Sequence, residues 1–166
     1  SLGDRIEQLQ RSEEALAAEY ALVAQQVSKA RTGAIAPLTE RLEALLHQLG
    51  MPHAVFRFEQ RTVDPGPMGV DHVRALFSAN KDRAPSPLDK VASGGELSRV
   101  MLALISLAAG SKDLPLVVFD EIDTGVSGEV ADRVGDLLAR MGKERQVVAI
   151  THLPQIASKA KNHLLV

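Results

Sequence analysis

Residues 91–121 read VASGGELSRVMLALISLAAGSKDLPLVVFDE, and this stretch decides the fold. Ser93, Gly94 and Gly95 stand immediately before a strongly apolar helical pattern, which predicts a helix from residue 94 to about 109. A small, glycine-opened helix start leaves the first N–H groups and the positive end of the dipole uncovered, an arrangement suited to cradling a phosphate. The apolar run that follows, PLVVFDE at 115–121, predicts a buried strand ending in two adjacent carboxylates. Yet none of the 166 residues forms a GxxxxGK[ST] loop, the usual phosphate cradle of a nucleotide-binding fold.

The same grammar continues downstream. Residues 127–141 predict a helix, RQVVAITH (145–152) another buried strand and 154–161 a short helix, while HLLV (163–166) begins a last strand. Continuous apolar strands alternating with helices indicate an α/β unit whose parallel sheet is covered on both faces.

Upstream the period differs. Residues 4–49 read as helix, with Leu2, Ile6, Leu9, Leu16, Tyr20, Val23, Val27, Ala30 and Ala34 on alternating steps of three and four, a coiled-coil seam. Glu13 interrupts that seam, and Pro37 breaks its register before Leu38, Leu42, Leu45 and Leu49 resume it. A kink near residues 33–37 follows, because proline removes a helix donor and clashes with the preceding turn. An amphipathic helix lying on its own domain's core is the alternative, but the length favours a rod, and a single-stranded rod needs a partner. Gly50 and Pro52 end the helix. Strands are expected from Val55 to about Val63 and over 70–78, an antiparallel pair joined by the turn DPGPMG at 64–69. NKDRAPSPLDK (80–90) is expected as an exposed loop. The division is thus 1–50, a coiled-coil helix, and 51–166, a head. With the last predicted strand cut short and the rod unpartnered, the sequence is expected to be a fragment at both ends.

Composition sets bounds. Hydrophobic residues make up 45% of the chain and aromatics only 3%, so the core must be aliphatic. Without cysteine there is neither a disulfide framework nor a thiolate metal site, which fits a reducing compartment. No run approaches membrane-span length, so no membrane association is expected. Residues 1–50 hold five basic and seven acidic residues, and the remainder fourteen of each. A net charge of −2 carries no nucleic-acid footprint.

The chemistry concentrates at the predicted strand ends, the edge where open α/β sheets bind ligands. Of Asp120 and Glu121, one can hold Mg²⁺ and the other can orient and deprotonate an attacking water; the plainer alternative is a strand ending in solvated acids. His152 closes the next strand and could hydrogen-bond a terminal phosphate or position that water, or serve as a cap. DTGVSGE (123–129) forms a glycine turn in which Ser127 or Thr124 can cap the following helix.

Each motif is modest alone, but their order is specific. SGGE before a helix, hydrophobics-DE, a glycine turn, then hydrophobics-TH resembles the second half of an ATP-binding-cassette (ABC) ATPase. ASGGE is similar to the signature motif, LVVFDE to the Walker B strand, DTGVSG to the D-loop and AITH to the switch-histidine loop. A transporter subunit usually reads DEP; here Ile122 and Asp123 follow Glu121, and a helical rod leads in. Together with LGMPHAVF, LFSAN, KVASGGELSRVMLAL, FDEIDTGVSGEVADRVG and VVAITHLPQIASKAKNH, this resembles the RecN family, bacterial SMC-like DNA-repair proteins, over roughly residues 28–166. The resemblance implies the C-terminal lobe of an ABC-type, SMC-like head, preceded by a descending coiled-coil arm and an antiparallel strand pair. It implies ATP and Mg²⁺ as cofactors and a cytoplasmic, nucleoid-associated protein acting in double-strand-break repair and recombination. By motif, Asp120 coordinates Mg²⁺, Glu121 activates water, and His152 contacts the γ-phosphate. Ser93, Gly94 and Gly95 bind the triphosphate of a partner head, and Asp123 lies at the head–head interface. The implied partners are an N-terminal segment of the same protein carrying the Walker A loop, a second copy through ATP-dependent head pairing, and DNA. Arg99 either links nucleotide state to the rod or is a solvated surface arginine. The competing readings are another cassette ATPase, SMC-like or transporter, and a non-catalytic coiled-coil module with a degenerate head.

Overall fold

The structure, a computed structural model, describes residues 2–91, 93–108 and 114–164. Its elements are α1 (Leu2–Gln48), β1 (Val55–Gly66), β2 (Gly69–Ser78), β3 (Ser86–Pro87), α2 (Gly94–Leu107), β4 (Leu116–Phe119), α3 (Gly128–Met141), β5 (Gln146–Ala149) and α4 (Pro154–Ala157), with a 3₁₀ turn at Leu88–Lys90. They fall into two compact units, Ser1–Leu38 with Phe58–Arg74, and Thr39–Arg57 with Ala75–Val166.

In the first unit, the helical arm is stapled to the distal part of the β1–β2 hairpin. The Tyr20 hydroxyl donates to the Gly66 carbonyl (2.9 Å) and accepts from the Gly66 amide (3.0 Å), satisfying both backbone groups at the hairpin tip. Farther along, Ser28 Oγ donates to Asp71 Oδ1 (2.9 Å), and Arg31 pairs with Asp71 Oδ2 (3.4 Å). Gln60 Nε2 donates to Ser28 Oγ (3.3 Å). Hydrogen bonds from Gln60, then Ser28 and Arg31, hold the Asp71 carboxyl below its ordinary range against a smaller opposing effect of burial. Part of the seam's partner is therefore the chain's own hairpin, which the heptad pattern did not reveal. Leu2, Ile6, Leu9 and Leu16 remain exposed. The helix is unbroken through Pro37.

The hairpin connection is tighter than the six-residue turn expected, with only Pro67 and Met68 between the strands. So short a link joins only antiparallel neighbours.

In the second unit, the end of α1 brings Leu42, Leu46 and Leu49 into a core with Met51, Ala54, Phe56 and Phe77. The Phe56 and Phe77 rings meet at 6.4 Å, tilted by 49°. α1 stops in a Schellman motif: Met51 N–H reaches Leu46 O (3.1 Å), Gly50 N–H reaches His47 O (3.3 Å), and Gly50 adopts φ +82°. The loop expected over 80–90 is partly ordered. Ser86 and Pro87 add a short third strand antiparallel to Leu76 and Phe77, and the 3₁₀ turn follows.

β4 and β5 pair in parallel, Leu116 opposite Gln146 through Phe119 opposite Ala149, as the apolar runs predicted. Coverage differs from expectation. Phe119 is buried and Val117, Val147 and Ala149 half-buried, but Leu116, Val118, Val148 and Ile150 are exposed. The described elements cover one face of the pair only, and period-two alternation leaves the other face bare. α3 packs through Ala131, Val134, Gly135, Leu138 and Met141, a helical stripe. Gly135 lets α4 approach closely: a Cβ there would stand 3.1 Å from Gln155 O and 3.3 Å from Ile156 Cα. Lys159 Nζ bridges Asp132 (2.9 Å) and Asp136 (2.8 Å) across that crossing. α4 ends at Ala157, four residues short of expectation. α2 ends at Leu107, and residue 109, its expected end, lies outside the described residues. The last expected strand is irregular at 163–164, and 165–166 lie outside the described residues.

Candidate functional site

Every residue singled out for chemistry falls in the second unit. α2 begins with Ser93 as N-cap, its Oγ accepting the Glu96 amide (3.3 Å). With Glu96 at the third helical position, the cap satisfies one of the orphan donors the glycines expose. Gly94 is exposed and Gly95 buried.

The acid pair lies just beyond β4 rather than within it, which corrects the expected strand end. Asp120 Oδ1 accepts the Glu121 amide (2.9 Å), and Glu121 takes the left-handed conformation, φ +55°. Both acids are exposed. A non-glycine residue at positive φ costs about 1 kcal/mol or more and persists where its surroundings over-determine it. Here the Glu121 carbonyl accepts the Thr124 amide (3.2 Å), and α2 holds the turn from the side. Ser98 Oγ donates to Asp120 O (2.6 Å), and Arg99 Nη1 donates to Thr124 O (2.6 Å). A Cβ at Gly95 would stand 2.7 Å from Thr124 Cβ and 2.9 Å from Thr124 O; one at Gly94 would overlap Glu121 Oε2. The glycines thus also allow close approach of the acid turn within the same chain.

Asp123 is buried, 5% exposed. Its Oδ2 accepts Thr151 Oγ1 (2.6 Å) and the His152 amide (2.8 Å), and lies 3.0 Å from His152 Nδ1. Burial works to raise this carboxyl. The Thr151 and His152 hydrogen bonds and the imidazole charge outweigh it, so the carboxyl sits below its ordinary range. The His152 side chain is 78% exposed. With Nδ1–H donating to Asp123, Nε2 is the nitrogen left to face a ligand. Ser127 caps α3 by backbone alone, without a side-chain hydrogen bond.

The structure therefore joins Ser93, Gly94, Gly95, Asp120, Glu121, Asp123 and His152 into one connected cluster. Sequence reasoning missed Ser98 and Thr151, and left Arg99 undecided; Arg99 is buried, not solvated. The one signal for Ser98 and Arg99 was their position three and four residues after Gly95 on α2. Among the described residues no group of three or more histidine and acidic side chains could hold a metal ion. Asp120 alone fits a cation held mainly by phosphate oxygens and water, the usual state of Mg²⁺ at a nucleotide. No helix among the described residues is long and apolar enough to cross a membrane.

No protein-family model matches the chain. It is 45% identical over 156 residues to the DNA repair protein RecN of Deinococcus radiodurans, covering 93% of this chain and 27% of that protein. With RecN of Streptomyces coelicolor the identity is 42% over 166 residues, covering 92% and 29%. The chain thus spans a little over a quarter of the length of these relatives. The Smc head domain of Pyrococcus yayanosii, solved with a coiled coil and joint, matches 96% of this chain and 30% of that one at 21% identity, with a TM-score of 0.63. The Pyrococcus furiosus Smc head with an extended coiled coil, bound to the C-terminal domain of ScpA, matches 96% of this chain and 39% of that one at 20% identity, with a TM-score of 0.62. These two show the fold, a head-type α/β lobe with a helical arm. Given RecN identities of 38–45% along most of its residues, the chain belongs to the RecN family.

Proposed function

We propose that the chain is the part of an SMC-like ATPase head that carries the signature helix and the acid turn, hydrolysing ATP between two paired heads in the repair of DNA double-strand breaks. One observation carries this reading: the α2 start, the Asp120–Glu121 turn and the Asp123–His152 pair touch in series. Residues 1–50 are the descending arm and 51–166 the C-terminal part of the head. An N-terminal segment of the same protein supplies the Walker A loop, and a second copy pairs through ATP. DNA as a partner, and a cytoplasmic, nucleoid-associated location, rest on the relatives' name alone.

Each residue has a role in this reading. Asp120 holds Mg²⁺, which supplies positive charge to the phosphoryl oxygens. Glu121 accepts the proton of the attacking water. His152 presents Nε2, which donates to a phosphate oxygen when the ring is protonated and accepts from the water when it is neutral. Asp123 orients that ring from behind, and its turn contributes to the head–head interface. Ser93, Gly94, Gly95 and the first amides of α2 receive the γ-phosphate held by the partner head. The Glu121 carboxylate lies over Gly94, so the cradle opens when this exposed side chain swings toward the water.

Glu121→Gln in a full-length protein carrying this chain tests the assignment. The amide keeps the shape but cannot take the proton, so single-turnover hydrolysis is expected to fall about 10²–10⁴-fold while the ATP-bound dimer outlives the parent's. Asp120→Asn is expected to weaken nucleotide engagement as well. Hydrolysis by Glu121→Gln at the parental rate would remove Glu121 from the role of base.

A further inference from the structure

We propose that Arg99 is a positioning residue: from the face of α2, its guanidinium, together with the Ser98 hydroxyl, clamps both ends of the 120–124 turn and so fixes where the Glu121 carboxylate points. The functional consequence rests on Glu121 acting as the base of an ATPase head, whereas the clamp itself rests on geometry alone.

Gly95, Ser98 and Arg99 fall on one face of α2 at spacings of three and four. Ser98 Oγ holds the carbonyl at the start of the turn, and Arg99 Nη1 holds the one at its end, each at 2.6 Å. Between them Glu121 sits at φ +55°, a conformation it abandons unless its neighbours enforce it. Gly95 completes the clamp, because any side chain there would push Thr124 away.

Arg99 is poorly explained as a stabilising residue. It is 5% exposed, makes no ion pair among the described residues, and its buried Nε finds no hydrogen-bond partner. Burial lowers its pKa, opposed by the nearby charge of Glu96. A buried cation with one carbonyl acceptor is costly, and an apolar side chain of similar length often serves folding as well or better. Its geometric yield is the hold on Thr124 O.

Two kinds of readout test this. In the 166-residue chain, amide hydrogen exchange over 121–126 and thermal melting are followed for Arg99→Met, Arg99→Lys and Ser98→Ala. Arg99→Met is expected to melt at or above the parental temperature, while exchange in the turn accelerates about tenfold or more. Lysine can still donate to Thr124 O, so Arg99→Lys is expected to recover most of the protection. Ser98→Ala is expected to loosen the turn at its start. In the full-length protein, Arg99→Met is expected to lower kcat about 10–100-fold with KM for ATP within about threefold, and Arg99→Lys to restore most of kcat. Parental exchange in Arg99→Met overturns the clamp. So does a collapse of its melting temperature, which would make Arg99 a stability residue, or a lysine variant no better than methionine. If Glu121→Gln hydrolyses normally, the base assignment fails, and the exchange measurements still decide the clamp.

Discussion

Asp123 shows what a single residue's surroundings add to its motif. The D-loop resemblance assigned it to the head–head interface, but in the structure its carboxylate gathers Thr151 Oγ1, the His152 amide and the His152 ring onto one oxygen. Hydrogen bonds to a charged acceptor contribute about 1.5–3 kcal/mol each, less once coupling is allowed for, so Asp123→Ala is expected to cost about 3 kcal/mol by urea denaturation. Asp123→Asn retains an acceptor and should cost less. Because the folded carboxyl titrates below its unfolded value, its contribution is complete above about pH 4 and is lost as pH falls through the folded pKa. The stability gap between parent and Asp123→Asn should therefore shrink in acid; a gap that stays constant down to about pH 2 would refute this linkage. The acids and His152 were legible because they follow apolar runs. Thr151, Ser98 and Arg99 were not, because their partners are 22 to 28 residues away in sequence.

At the scale of elements, the helix end at Gly50 was readable from its immediate neighbours. A glycine followed by Pro52 stops a helix by local chemistry, and the structure builds the expected left-handed cap there. Gly50→Ala is expected to destabilise the chain by about 2 kcal/mol, since alanine strains at φ +82° and its Cβ would stand 2.8 Å from Val130 Cγ1. The check is a lower denaturant midpoint at unchanged m; a midpoint equal to the parent's would mean that the cap tolerates a side chain. At Pro37 local chemistry predicted a kink, and the structure carries that proline inside a single helix, α1. Burial of Leu42, Leu46 and Leu49 just beyond it ties the following turns into the core, and tertiary packing overrides the local penalty. β3 was missed because two residues carry no periodicity, and Ser86 and Pro87 become a strand only because the β2 edge is beside them.

For the molecule as a whole, the absent phosphate loop sets the expectation. Without a lysine-bearing cradle for the β- and γ-phosphates, the 166 residues alone should release phosphate from ATP at a negligible rate. On the proposed reading, adding an N-terminal segment that bears a GxxxxGK[ST] loop should restore turnover. Robust Mg²⁺-dependent hydrolysis by the purified chain alone would contradict the division of the site between segments.

By itself the sequence determined the long helix, the hairpin, the parallel pairing of β4 with β5, and the order of motifs that marks the RecN family. All of these follow from hydrophobic period and local turn chemistry, which reside in neighbouring residues. Only the tertiary structure decided that the hairpin staples the arm through Tyr20, Ser28 and Asp71, that the described elements leave one face of the β4–β5 pair uncovered, and that α2 grips the acid turn through Gly95, Ser98 and Arg99. Those features depend on which distant groups meet, and a hydrogen-bond donor's own position in the chain does not say which carbonyl it will find.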